Sequence, residues 1–155
     1  MKDEKMELKF KRKVDLKPMM GAKMTPAQTD LDKSVSTIVT ELMNAATSFH
    51  KLHLKVTGPG SYAAHKALNG LYDALPGHAD DLAEGYQGAA EVLLSYQEPV
   101  TRTLETVDDA IWYIKDLTRM VTELQSKLPY SEIVNDLDNI KSTLNSAKYK
   151  LKFLS

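Results

Sequence analysis

The sequence predicts an all-α protein: an antiparallel four-helix bundle, residues 25–155, preceded by an extended charged arm, residues 1–24. Apolar residues recur every three or four positions through four long stretches, the period of a helix with one buried face. Glycine- and proline-bearing breaks separate those stretches, so consecutive helices reverse direction. The chain has 155 residues and no cysteine, the size of one domain whose hydrophobic core must suffice without disulfides.

The arm carries eight Lys or Arg against four Asp or Glu, while the whole chain has a formal net charge of −1. Any electrostatic partner is therefore met by this local cluster. Within it, LKFKRKVDL alternates, with Leu8, Phe10, Val14 and Leu16 on one side of an extended chain and Lys9, Lys11, Lys13 and Asp15 on the other. Three readings are open: a solvated tail, a phosphate-binding segment, or a strand added to a neighbouring chain. Met19, Met20 and Met24 read as an adhesive apolar patch beside it.

The first helix is expected to start at TPAQ, where Thr25 caps, Pro26 suits the first helical position and Gln28 completes a capping box. Leu31, Val35, Ile38, Leu42, Ala46, Phe49, His53 and Val56 then mark its apolar face. TGPG at 57–60 breaks the helix and turns the chain back. The second helix is expected from Ser61 into the nineties, with Ala64, Leu68, Leu71, Tyr72, Leu75 and Leu82 inward and a kink at Pro76 and Gly77.

A short connection is expected near Tyr96 to Val100. The third helix follows, with Leu104, Val107, Ile111, Ile114, Val121, Leu124 and Leu128 and a capping box from Thr106 to Asp109. KLPYS ends it, and the fourth helix carries Ile133, Leu137, Ile140, Leu144, Ala147, Leu151 and Leu154. Trp112 and Tyr113 read as boundary packing.

Three of the four histidines lie between His50 and His65. His53 and His65 fall six residues to either side of Pro59, so an antiparallel pair of helices sets them at the same height. Asp80 and Glu84, spaced i, i+4, project together as hard oxygen donors. Asp80 is fifteen residues beyond His65, about 22 Å along a straight helix, so one chain cannot bring both pairs to one metal ion. Two copies with antiparallel second helices can, because a two-fold axis sets the histidine end of one against the carboxylate end of the other. His50 reads as a boundary residue, and His78 as solvated.

The run HLKVTGPGSYAAH, followed by DDLAE, resembles the HWNVxGxxFxxLHxxxD…DxxxE pattern of Dps-like mini-ferritins, the starvation-inducible DNA-binding proteins of the ferritin-like superfamily. The likeness lies in spacing: twelve residues from His53 to His65, fifteen to Asp80 and nineteen to Glu84. It is strongest over residues 42–85. It implies a ferritin-like antiparallel four-helix bundle and a homo-oligomer with a two-fold interface across the second helix. It also implies an intersubunit ferroxidase site in which His53 and His65 of one chain and Asp80 and Glu84 of another hold iron, with Asn69 a weak ligand. Fe(II) would be oxidised there by hydrogen peroxide or dioxygen. DNA would be met through Lys2, Lys5, Lys9, Lys11, Arg12, Lys13 and Lys17, by sequence-independent phosphate contacts.

The chain departs from the pattern at Asn69, where the family has a carboxylate, at Leu54, where it has Trp, and at Gly85, where it has Arg. The connection before the third helix is also expected to lack the family's short extra helix. The shortened connection, Asn69 and the two-faced LKFKRKVDL pattern favour an alternative function, a non-catalytic ferritin-like structural protein of a larger assembly such as a viral particle, whose arm binds a neighbouring subunit. With no secretion-signal pattern and no long apolar run, the expected location is the cytoplasm or nucleoid, or the virion under the alternative, with no membrane partner.

Overall fold

The computed structural model of the protein describes residues 25–155; the expected arm, with its seven basic candidates from Lys2 to Lys17, lies outside them. The described chain is all-helical, with four long helices and no strand: α1 Pro26–His53, α2 Ser61–Ala90, α3 Val107–Gln125 and α4 Ser131–Phe153.

Helix α1 begins as its sequence requires, the Thr25 side chain accepting from the Gln28 N–H at 3.2 Å. The Gln28 side chain does not reach back to complete the box. It donates instead to Asp32 and to the Tyr86 hydroxyl, each at 3.0 Å, and ties the start of α1 to the end of α2. The Tyr86 hydroxyl donates to Asp32 at 2.6 Å; burial and that carboxylate push the phenol well above its usual range.

The reversal after α1 uses both glycines at positive φ, Gly58 at 87° and Gly60 at 76°, where a side chain would be strained. Gly60 has a second reason to be glycine: a Cβ there would come within 2.5 Å of the Ser155 backbone. Helix α2 continues through Pro76, whose missing N–H falls on the exposed side.

Helix α2 ends at Ala90, earlier than the periodicity suggests, with Glu91 closing it at positive φ. The connection to α3 is therefore residues 91–106, sixteen residues without helix, rather than a short link near Tyr96 to Val100. It crosses the length of the molecule alongside α1. Ser36 donates to the Ser95 carbonyl, the Val100 N–H donates to Asn44 Oδ1 at 3.2 Å, and the Arg102 N–H donates to Ser48 Oγ at 2.9 Å. Ser36, Thr40, Asn44 and Ser48 are spaced every four residues and all are buried. Three of these four, Ser36, Asn44 and Ser48, thus supply polar partners to the crossover backbone.

Because the crossover returns the chain to the C-terminal end of α1, α3 runs antiparallel to α1 and parallel to α2. Its Thr106–Asp109 capping box forms as expected. Helix α4 reverses again and packs on α2 and α3, with Tyr130 near Tyr86 and Ser155 near Gly60 at its two ends. The order is up, down, down, up around one core, whose largest fully buried side chains include Tyr86, Tyr113 and Phe49. Trp112, expected to pack, is 61 % exposed; its neighbour Tyr113 is the buried member of the pair. No described helix is long and apolar enough to cross a membrane.

Candidate functional site

The TGPG reversal sets the last residue of α1, His53, beside His65 in the second turn of α2. Their rings stack with centroids 3.7 Å apart and planes 24° from parallel. His53 Nδ1 lies 3.0 Å from the His65 carbonyl oxygen, and His65 Nδ1 lies 3.2 Å from the His53 carbonyl oxygen. A carbonyl can only accept, so each Nδ1 must be the protonated donor. The pair locks itself reciprocally: in its neutral form each ring held this way is the Nδ1–H tautomer, which leaves the Nε2 lone pair for a ligand. His53 is buried and His65 half-buried, so the lock sits at the edge of the core.

Two further aromatic groups steady it. The His50 ring stacks on Tyr72 at 4.0 Å and 11°, and Tyr72 meets His53 edge-on at 5.1 Å. His50 is exposed and 5.8 Å from His53 between ring centroids, and contributes packing at the boundary as its position suggests.

Asn69, one turn beyond His65, donates its side-chain amide to Asp73. Asp73 was not anticipated as part of the site, although its spacing of eight from His65 puts it on the same side of α2. It returns a carboxylate near the place where Asn69 lacks one.

Asp80 and Glu84 are both exposed further along α2, and among the described residues neither forms an ion pair. Tyr96, from the crossover, lies near Asp80; burial and the Asp80 charge together raise its phenol. Among the described residues of one chain, no three His, Asp or Glu side chains converge closely enough to hold a metal ion. The histidine pair and the carboxylate pair are thus separate within one chain, as the rise of a helix dictates.

Two clusters elsewhere were missed or misread in the sequence. His78, read as solvated, is half-buried, with Nε2 2.8 Å from the Thr143 hydroxyl of α4. It lines a cleft with Asp81 and Asp136, and burial together with the Asp81 charge raises the Asp136 carboxyl above its usual range. Arg102 of the crossover reaches Asp116 at 2.9 Å and Glu41 at 3.4 Å, its guanidinium 4.0 Å from the Tyr113 ring centroid. A lone arginine in an expected loop gives no sequence signal for this role. The geometry shows a structural clamp that joins the crossover to α1 and α3.

A family model described as a family of unknown function (DUF5856) matches residues 53–151. The match spans more than half of the chain, which therefore belongs to that family, and the matched segment takes in His53, His65, Asp80 and Glu84. No curated protein and no solved structure matches.

Proposed function

We propose that the protein is a ferritin-like, Dps-like iron-binding protein that oxidises Fe(II) at a site completed by a second copy of the chain. The observation that carries this reading is the reciprocal lock of His53 and His65. Two imidazoles with their Nδ1 protons committed to carbonyls and both Nε2 atoms free are prepared as ligands of a transition metal. The up, down, down, up order with one long crossover supports it, because ferritin-like bundles carry a single such connection.

In this reading His53 and His65 hold the iron from one chain, and Asp80 and Glu84 supply oxygens from the two-fold mate. Asn69 is a weak ligand, and Asp73, through its hydrogen bond, fixes the direction of the amide. Mixed nitrogen and oxygen ligands leave coordination positions open for the oxidant. Two Fe(II) ions each give up one electron to one hydrogen peroxide, which takes up two protons and leaves as water. Dioxygen is the alternative oxidant. The exposed faces of α1, α2 and the crossover, with Met43, Leu54, Tyr62 and Leu93, offer apolar surface for the mate.

The arm of residues 1–24 adds a sequence-independent DNA contact through its lysines and arginine, with cytoplasmic or nucleoid location. A second reading, a non-catalytic subunit of a larger assembly such as a virion, is favoured by Asn69 and by the absence of a helix from the crossover. The two are separated by mixing the purified protein with ferrous iron and peroxide. Growth of ferric absorbance, lost in His65→Ala, supports the oxidase; no absorbance from a properly assembled protein supports the subunit.

A further inference from the structure

The last seventeen residues, 139–155, hold four lysines and no acidic residue. Lys148, Lys150 and Lys152 have no carboxylate partner among the described residues. Beside them the end of α4 exposes large apolar groups: Tyr149 is 55 % exposed, Phe153 65 % and Leu154 54 %. Tyr149 and Phe153 are one turn apart, with ring centroids 5.7 Å from each other, and Lys152 Nζ lies 5.2 Å from the Phe153 ring centre. On the helix this aromatic ridge runs between Lys148 and Lys152 on one side and Lys150 on the other.

The negative end of the helix dipole accounts for lysines in the last turn. It does not account for apolar side chains held in water beside them. Leu154 belongs to the apolar pattern of the sequence, yet α4 ends at Phe153 and leaves it outside the core. We propose that this end of α4 docks on the surface of an anionic lipid bilayer, Phe153, Leu154 and Tyr149 entering the headgroup region while the lysines meet lipid phosphates and carboxylates. Unpaired positive charge around an apolar tip is the complement of such a surface. Lysine suits it, since its stem packs along apolar groups while its charge stays in water. A nucleic-acid strand would use the aromatic faces but gains nothing from Leu154. The contact is peripheral, at the end of the bundle that also carries the lock, since Ser155 lies against Gly60 of the reversal between His53 and His65.

The test is sedimentation of the full chain with vesicles of phosphatidylcholine alone and with added phosphatidylserine. Binding is expected only with phosphatidylserine, weakening as salt is raised. Lys150→Glu with Lys152→Glu should weaken it about twenty-five-fold or more, at about fivefold per lysine. Tyr149→Ser with Phe153→Ser should also lose it, with thermal unfolding unchanged. The arm is identical in parent and variants, so the difference reads α4 alone. Absence of binding to phosphatidylserine vesicles, or equal binding by parent and variants, overturns the proposal. So does binding of polythymidylate, but not vesicles, that the same substitutions remove.

Discussion

His53 and His65 each give a proton to the other's carbonyl, so removing one ring leaves its neighbour's carbonyl without that donor and its neighbour's ring without its stacking partner. His65→Ala should therefore lower the rate of Fe(II) oxidation by roughly 100-fold or more, measured as the initial rise of ferric absorbance. Other single residues affect stability alone. Thr40 Oγ1 is the one buried side-chain polar atom without a partner among the described residues, so Thr40→Val should leave stability unchanged or raise it by up to about 1 kcal/mol in denaturant unfolding. Asp136 carries the opposite sign from a paired carboxylate. Its folded pKa is raised, by burial first and then by the Asp81 charge, so ionisation costs stability above the folded pKa, and the cost disappears below the unfolded value of about 3.9. Asp136→Asn should consequently stabilise the protein at neutral pH, and the gain should vanish in acid.

The helices and their turns follow from local chemistry: caps at Thr25 and Thr106, and glycines where φ is positive. Their order was legible because apolar period and chain breaks agree, with side-chain caps at the starts of α1 and α3, although α2 ends at Ala90, before its periodicity does. The crossover was not, because its order comes from a stripe on another element. Ser36, Thr40, Asn44 and Ser48 were present in the sequence at every fourth position, but such a stripe ordinarily reads as a solvated helix face. Asn44→Ala would leave the Val100 N–H without its acceptor, and should cost about 1–3 kcal/mol, read by denaturant unfolding, with faster amide exchange across residues 95–102. The candidate site shows the same division. The His53–His65 juxtaposition was legible from symmetric spacing about Pro59, whereas the Nδ1 lock depends on backbone carbonyls that side-chain spacing does not report.

Four helices around one core fix the histidines at one end of α2 and the carboxylates fifteen residues further along it. Under the proposed function that separation would make assembly part of the chemistry: a lone chain offers two nitrogens in one place and two oxygens in another, and a two-fold pairing would bring them together. The most direct measurement co-expresses two variants, His53→Ala with His65→Ala in one chain and Asp80→Ala with Glu84→Ala in the other, each inactive by itself. Random pairing creates mixed dimers in which one of the two sites holds all four native ligands, so Fe(II) oxidation should return to about a quarter of the parent rate. Mixed assemblies of native mass with no recovered oxidation would contradict a site shared between chains.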